Sequence, residues 1–166
     1  MTFQSKVIKY GDEVSTDLIF PGKYTYMMLT EEQMAEHALE TLDPEFGSRD
    51  VAGDVIVAGW NWGCGSAREQ AVKCIRKKGI KAVIAKSISR IYYRNSINEG
   101  LLPIVCPEAV DQMENGDSVE VDVLAGIIHT KNGDFSFPKF PEFVLGILNS
   151  GGLIAQVKNE IAGKNA

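Results

Sequence analysis

Short apolar runs alternate with amphipathic stretches through the middle of the chain. DVIVAGWN (54–61), KAVIAKS (81–87) and LLPIVC (101–106) are apolar runs bounded by turn residues, as is typical of buried strands. Between them lie SAREQAVKCIRKKG (66–79) and ISRIYYRNSINEG (88–100), which have helical patterning and end at glycines. This region is predicted to form strand–helix–strand–helix–strand, which requires a parallel sheet with crossover helices.

The N-terminal part adds one strand and one helix to this pattern. QSKVIKY (4–10) is predicted to be the first strand, and a polar loop follows it from Gly11. TEEQMAEHALETL (30–42) is predicted to be a helix, because apolar residues recur at helical spacing. Thr30 and Gln33 have the spacing of a capping box at its start.

The C-terminal third changes character. SVEVDVLAG (118–126) alternates in the manner of a half-buried strand, and Asn132-Gly133 between two further strand-like runs predicts a hairpin. PEFVLGILNSGG (141–152) and LIAQVKNEIAGKNA (153–166) are predicted to be helices. The whole chain, residues 1–166, is therefore predicted to be one α/β domain with a central, mostly parallel sheet and an antiparallel hairpin addition.

Composition and charge exclude several classes of function. The chain has 166 residues, of which 45% are hydrophobic and 23% charged, as in ordinary globular proteins. The formal net charge of -5 at pH 7 argues against nucleic-acid binding, which needs a basic surface. The sequence has no apolar run long enough to span a membrane and no apolar signal core, so a cytoplasmic location is expected. Three cysteines without a CxxC pair make a metal site within this chain improbable.

The glycines of GWNWGCGSAREQA (59–71) lie where the first central strand is predicted to end. In open parallel sheets, ligands bind beyond the carboxyl ends of the strands. Gly63 and Gly65 allow a sharp turn that brings backbone N–H groups close to a ligand, and a helix N-terminus behind them would favour an anion. Arg68 adds a fork that matches a carboxylate.

A purely structural reading of the same residues competes with this one. Ser66 and Glu69 have the spacing of a capping box, so Ser66 could serve only as the N-cap of the helix. A dinucleotide site fits poorly, because Arg68 stands where the fingerprint needs glycine or alanine and the next strand ends without an acidic residue. A carboxylate ligand suits the loop better than a nucleotide.

The segments GWNWGCGSAREQA and GIKAVIAKSISRIYYRNSINEGLLPIV resemble the swivelling β/β/α domain of the aconitase superfamily. GDEVSTDLIFPGKY (11–24) resembles a second motif of that family, a Thr-Asp pair followed by a Pro-Gly turn. The chain length resembles that of the free-standing small subunits of the isopropylmalate isomerase group. The resemblance implies a hydro-lyase that removes water from a 2-hydroxy acid and adds it back.

The resemblance also implies roles for individual residues. Ser66 would take a proton from the carbon beside a carboxylate, and Arg68 would bind that carboxylate. Asp17, from the Thr-Asp pair, would support the catalytic groups. The family often has a second serine where this chain has Ala67. A serine hydroxyl is a poor base at neutral pH, so the backbone N–H groups near Gly65 would have to stabilise the developing charge.

A short segment after the Pro-Gly turn distinguishes substrates in the family, and here it is Tyr24-Thr25-Tyr26-Met27. Members that bind an extra carboxylate resemble Tyr-Leu-Arg-Thr, with arginine where this chain has Tyr26. A carboxylate facing tyrosine and methionine would be poorly held, so an alkyl group is favoured. Isopropylmalate is the first expectation, although Lys23 could supply a charge and the four residues could merely line a mobile flap.

The resemblance implies a partner and a cofactor. The [4Fe–4S] cluster is expected in a large subunit, so this chain would bind no cofactor itself and would be inactive alone. The substrate would be a small hydroxy-dicarboxylic acid. Dimethylmalate, citramalate and homoaconitate are alternative substrates, a regulatory module that binds carboxylates is an alternative of another class, and self-association of the isolated chain is left open.

Overall fold

A seven-stranded mixed sheet forms the centre of the computed structural model, which describes residues 1–164. The strands are β1 (Thr2–Lys9), β2 (Val55–Ala58), β3 (Ala82–Ala85), β4 (Leu102–Val105), β5 (Ser118–Asp122), β6 (Ile127–Thr130) and β7 (Gly133–Ser136). Their order across the sheet is β4-β3-β2-β1-β5-β6-β7. Strands β1 to β4 pair in parallel, and β1, β5, β6 and β7 pair antiparallel.

Seven α-helices surround the sheet within the described residues. They are α1 (Thr16–Ile19), α2 (Glu31–Glu36), α3 (Gln70–Lys77), α4 (Arg90–Glu99), α5 (Pro107–Gln112), α6 (Glu142–Asn149) and α7 (Leu153–Lys164). A single 3-10 turn, Gly22–Tyr24, follows α1. None of the helices described over residues 1–164 is both long and apolar enough to cross a membrane.

The predicted α/β fold is confirmed. The parallel strands are continuous apolar runs because helices cover both faces of that half of the sheet. Ile56 and Val83 pack into the core on one face, whereas Val57 and Ile84 pack into the core on the other. All four residues of β2 are fully buried, as the sequence pattern predicted.

Several local predictions need correction. The antiparallel addition comprises three strands rather than one hairpin, and the loop of its β6–β7 hairpin is Lys131-Asn132, because Gly133 already pairs with Thr130. Residues 16–19 form the short helix α1 within the predicted polar loop, and α5 was not predicted. Helix α2 ends at Glu36, well before Leu42. The last helix is confirmed to Lys164, and its predicted residues 165–166 lie outside the described part of the chain.

Two caps agree with the sequence. Thr30 and Gln33 form the predicted capping box, in which the Thr30 hydroxyl accepts from the Gln33 N–H and the Gln33 side chain accepts from the Thr30 N–H. Helix α4 ends at Gly100, whose φ of 77° lies in the left-handed region that favours glycine.

Candidate active site

The candidate site lies where the loops after β1 and β2 meet. These strands are parallel neighbours, so their carboxyl ends lie side by side. The loops are joined by backbone hydrogen bonds: the Thr16 N–H donates to the Cys64 carbonyl and the Gly63 N–H donates to the Val14 carbonyl, both at 2.8 Å. Residues that are about 50 positions apart in sequence are thereby fixed next to each other.

The glycine loop turns sharply through left-handed backbone at three positions. Asn61, Gly63 and Gly65 have φ values of 61°, 71° and 99°. A Cβ at Gly63 would lie 2.3 Å from the Cγ atom of Tyr92, so no larger residue fits there. The Ser89 hydroxyl donates to the Gly63 carbonyl at 2.6 Å and holds the turn from the side of α4.

Ser66 is exposed at the end of this loop. Its Oγ lies 3.4 Å from the Oγ1 of Thr16, and either hydroxyl can be the donor. The backbone N–H groups of Gly65 and Ser66 have no protein acceptor within residues 1–164. Two amide donors without a protein acceptor therefore adjoin an exposed hydroxyl in the same loop, and such donors are the groups that bind an anion or a developing negative charge.

The helix behind the loop starts later than predicted. Helix α3 begins at Gln70, and its N-cap position is Glu69, which makes no side-chain capping bond. Ser66 is therefore not the N-cap, and Arg68 precedes the first helical turn instead of lying in it. The Glu69 side chain pairs with Lys73 at 3.1 Å rather than reaching back to Ser66. The first turn of α3 thus begins four residues beyond Ser66.

Arg68 is paired with Asp17 from the first loop. The guanidinium contacts the Asp17 carboxylate and also lies 3.5 Å from the Phe20 carbonyl. The Arg68 side chain is 20% exposed and that of Asp17 is 61% exposed, so the pair opens to solvent mainly on the Asp17 side. A Cβ at Gly22 would lie 3.1 Å from Asp17 Oδ1 and 3.4 Å from Arg68 Nη2, so the Pro-Gly turn packs closely against the ion pair.

The segment after the Pro-Gly turn divides into an anchored half and an exposed half. The Tyr24 ring stacks on His37 with ring centroids 3.9 Å apart, and its hydroxyl donates to both carboxylate oxygens of Glu40 at 3.1 Å. Thr25 Oγ1 is buried and has no hydrogen-bond partner within residues 1–164. Tyr26, in contrast, is 97% exposed, and Met27 beside it is also exposed.

Glu40 organises the anchored half electrostatically. Its carboxylate lies 2.6 Å from the Lys23 ammonium and 2.8 Å from Nδ1 of His37. Partial burial opposes ionisation of Glu40, but hydrogen bonds from Lys23, His37 and Tyr24 outweigh it and lower the pKa of the carboxyl group. Lys23 is therefore already paired. His37 packs against the Tyr24 ring.

The three cysteines do not fit an iron–sulfur cluster within this chain. Cys74 and Cys106 are buried in different cores, and Cys64 lies near the Glu13 carboxylate. Burial, and for Cys64 also the charge of Glu13, raises the pKa of the thiols, whereas a cluster needs thiolates. Within residues 1–164, no three His, Cys, Asp or Glu side chains are grouped so that they could hold a metal ion.

The structure thus brings together Ser66, Gly65, Arg68 and Asp17, as the sequence predicted. It does not direct the Tyr24 hydroxyl to an open cleft, because Glu40 binds it. Sequence reasoning missed Thr16, although it is the first residue of the Thr-Asp pair. It also missed Glu40, for which the sequence held no signal, because the contact with Tyr24 depends on how the segment folds back.

Comparison with known proteins identifies the family. The aconitase C-terminal domain family matches residues 14–109. The 3-isopropylmalate dehydratase small subunit of Caldicellulosiruptor saccharolyticus is 49% identical over 163 residues, which cover 97% of this chain and 94% of the relative. The chain belongs to the 3-isopropylmalate dehydratase small-subunit family. The predicted resemblance is therefore confirmed over nearly the full length.

Other members of the 3-isopropylmalate dehydratase small-subunit family agree with this assignment. The small subunit of Clostridium acetobutylicum is 44% identical over 160 residues and matches 95% of this chain and 98% of its own. The crystal structure of the 3-isopropylmalate dehydratase from Methanocaldococcus jannaschii superposes with a TM-score of 0.90 at 40% identity, covering 100% of both chains. The fold is that of the family throughout.

Proposed function

We propose that this chain is the small subunit of a 3-isopropylmalate dehydratase, a hydro-lyase of leucine biosynthesis. The enzyme interconverts 2-isopropylmalate and 3-isopropylmalate by removing water and adding it back. The observation that carries the proposal is the exposed Ser66 hydroxyl beside two unpaired amides and the Arg68–Asp17 pair. Family membership at 49% identity supports the same activity.

Arg68 binds a substrate carboxylate in this proposal. Its guanidinium is held by Asp17 and by the backbone near Phe20, so its orientation is set before the substrate arrives. A fixed guanidinium fork recognises a carboxylate through parallel hydrogen bonds and loses little side-chain entropy on binding. Asp17 acts by orienting Arg68, and its exposed carboxylate remains accessible to groups on the partner.

Ser66 transfers the proton. In the dehydration direction, the C–H bond beside the carboxylate breaks, its proton goes to Ser66 Oγ, which reacts as the alkoxide and becomes the hydroxyl, and its electron pair forms the carbon–carbon double bond. The C–O bond of the neighbouring carbon breaks, and the hydroxyl group takes a proton from a general acid on the partner side of the site and leaves as water. Rehydration adds the proton to the carbon that carried the hydroxyl, and the hydroxyl to the carbon that carried the proton. The N–H groups of Gly65 and Ser66 lower the cost of negative charge on the serine oxygen.

The substrate carries an alkyl group rather than a third carboxylate. Tyr26 and Met27 present apolar surface, and the nearby Lys23 is neutralised by Glu40 at 2.6 Å. An additional carboxylate at this segment would therefore lose hydration without gaining an unpaired cation. An isopropyl group fits that environment, and dimethylmalate and citramalate have the same apolar character. Homoaconitate fits it least.

The proposal includes a large subunit as partner. The relatives are named small subunits, and the exposed Ser66 surface requires a second wall to exclude water from the reaction. The large subunit would carry the [4Fe–4S] cluster, which supplies a binding position for the substrate hydroxyl and a carboxylate. The expected cytoplasmic location is part of the proposal and is tested by cell fractionation. Nucleic acid is not a partner, in keeping with the net charge of -5.

Reconstitution tests the function directly. The chain is mixed with a cluster-bearing large subunit under anaerobic conditions, and 2-isopropylmalate, dimethylmalate, citramalate and homoaconitate are assayed by the ultraviolet absorbance of the unsaturated acid. We expect the highest kcat/KM with isopropylmalate. Hydration of none of the four acids, with carboxylate binding retained by the isolated chain, would instead favour a regulatory module.

The substitution Ser66→Ala separates chemistry from binding in the same assay. We expect turnover to be abolished, while the fold and assembly with the large subunit stay intact because Ser66 caps no helix and is exposed. Ser48→Ala, at another exposed serine, is the matched control and should leave turnover unchanged. A near-normal rate for Ser66→Ala would end the assignment of Ser66 as proton acceptor.

A further inference from the structure

Thr16 differs from the other buried hydroxyl residues of the chain. Ser5 and Ser96 are also buried, but their hydroxyls donate to backbone carbonyls, those of Gly53 and Tyr92. Thr16 is only 2% exposed. The hydrogen-bond partner of its hydroxyl within residues 1–164 is the hydroxyl of the exposed Ser66, at 3.4 Å. A buried hydroxyl whose partner is the group proposed to transfer the proton suggests more than packing.

We propose that Thr16 is a positioning residue for Ser66, an inference that rests on the proposed function. The Thr16 hydroxyl donates to Ser66 Oγ when Ser66 takes up a proton from the substrate. It aims the serine oxygen at the substrate and stabilises negative charge on that oxygen.

The direction of this hydrogen bond follows from the chemistry. A serine that accepts a proton must present a lone pair, so the neighbouring hydroxyl has to be the donor. Hydrogen bonds to a charged oxygen are shorter and about twice as strong as neutral ones, and the burial of Thr16 keeps water from competing. At 3.4 Å the contact is longer than a good O–H···O bond, as is common for catalytic groups before substrate binds.

After the proton transfer, the roles of the two hydroxyls exchange. Protonated Ser66 can donate to Thr16 Oγ1, since either atom can be the donor. The pair therefore keeps a hydrogen bond in both protonation states, and the proton that it gains from the substrate on dehydration is given back on rehydration. That property suits a reaction that runs in both directions.

The surrounding backbone holds Thr16 in place. Its N–H donates to the Cys64 carbonyl at 2.8 Å, and α1 begins at Thr16 with Ser15 as its N-cap. Gly65 lies between the two hydroxyl residues with φ of 99°, and a Cβ there would be 3.3 Å from Thr16 Oγ1. A glycine is what leaves room for the contact.

The test compares Thr16→Val, Thr16→Ser and wild type in the reconstituted complex with 2-isopropylmalate. Valine keeps the volume and removes the hydroxyl, so we expect kcat to fall roughly ten- to hundredfold, as for loss of one donor to a developing charge. KM should change less than about twofold. The pH–kcat profile of Thr16→Val should also shift to higher pH, because negative charge on Ser66 Oγ loses a stabilising donor. Thr16→Ser should restore most of the rate.

Two controls exclude a merely structural effect. Ser5→Ala removes another buried hydroxyl far from the loop and should leave kcat and the pH profile unchanged. Assembly is the second control, and Thr16→Val should elute with the large subunit in gel filtration as wild type does. If Thr16→Val fails to assemble with the large subunit, as measured by gel filtration, Thr16→Ala replaces it in the same assays.

The outcomes separate this inference from the proposed function. An inactive wild-type complex would overturn both. An active wild type with an unchanged kcat in Thr16→Val would overturn the role of Thr16 alone.

Discussion

Gly65 shows how one residue limits what the candidate site can contain. Its φ of 99° lies in the region that residues with a Cβ enter only at a cost, and its missing side chain leaves 3.3 Å to Thr16 Oγ1. Backbone conformation and hydroxyl placement therefore depend on the same position, and a substitution would disturb both at once.

We expect Gly65→Ala to lower the free energy of unfolding by about 1 kcal/mol, the cost of the left-handed backbone, and to lower kcat as well. Gly116→Ala is a matched control, since Gly116 has φ of 86° and no atom within 4 Å of an added Cβ. Thermal unfolding should show similar losses for both variants, whereas only Gly65→Ala should slow turnover. Equal kcat values in the two variants would contradict the view that turnover depends on the close approach of Gly65 to Thr16 Oγ1.

Arg68 provides a second prediction at this scale. Lysine keeps the charge but cannot keep the fork that contacts Asp17 and approaches the Phe20 carbonyl. We expect Arg68→Lys to raise KM roughly tenfold, the effect of losing one charge-assisted hydrogen bond of about 1.5 kcal/mol. Arg76→Lys on α3 should leave KM unchanged, and steady-state kinetics of both variants measures the difference. An unchanged KM in Arg68→Lys would remove Arg68 from substrate binding.

At the scale of elements, the 3-10 turn Gly22–Tyr24 is tied to the residues that follow α2. Tyr24 stacks on His37, and Glu40 accepts hydrogen bonds from Tyr24 and Lys23. The exposed residues Tyr26 and Met27 follow immediately, so the anchored half determines where the exposed half begins. A loop held at one end pays less entropy when substrate or partner orders the rest.

The lowered pKa of Glu40 gives this tie a pH dependence. A carboxyl group whose folded-state pKa lies below its ordinary value of 4.5 contributes stability above that pH, and the contribution is lost as the pH falls through the folded-state pKa. We expect Glu40→Gln to be less stable than wild type by about 1 kcal/mol at neutral pH, with a difference that shrinks below pH 4.5.

Chemical denaturation across this pH range measures the Glu40 effect. Glu36→Gln, at the exposed last position of α2, should show no such convergence with wild type. A stability difference for Glu40→Gln that is constant across the pH range would mean that the ionised carboxylate does not hold the segment.

The sequence predicted elements better than it predicted the junctions between them. Thr30 and Gln33 form their capping box because both partners are local. Ser66 and Glu69 have the same spacing, yet the helix starts at Gln70, because the Ser66 hydroxyl lies beside Thr16 and the Glu69 side chain pairs with Lys73. The Thr16 hydroxyl that meets Ser66 comes from 50 positions away, and no local pattern encodes such a contact.

At the scale of the whole molecule, the fold class, the family and the clustering of Ser66, Arg68 and Asp17 were predictable. The parallel strands are continuous apolar runs, and parallel order places their following loops together. The pairing of β5 with β1 was not predictable, since an alternating strand does not reveal its neighbour. The contacts of Glu40 were hidden for the same reason, because they depend on tertiary packing.

The dependence on a partner is the prediction that belongs to this scale. The isolated chain should not hydrate or dehydrate isopropylmalate, because Ser66 faces solvent on its own. Titrating it into a fixed amount of large subunit should raise the rate until it saturates at a defined ratio, with Ser66→Ala competing for the same positions. Turnover by the chain alone would contradict an active site shared with the large subunit. Failure of Ser66→Ala to lower the rate of the complex at any concentration would contradict it as well.

Strand β1 is the only strand that joins the parallel and antiparallel halves among the described residues, and its two neighbours come from distant parts of the chain. Lys9 pairs with Val57 on one side, whereas Thr2 pairs with Asp122 on the other. During synthesis, the second edge of β1 must stay unpaired until β5 leaves the ribosome. An exposed edge of this kind recruits other chains, so newly made protein should depend strongly on chaperones and aggregate when they are depleted.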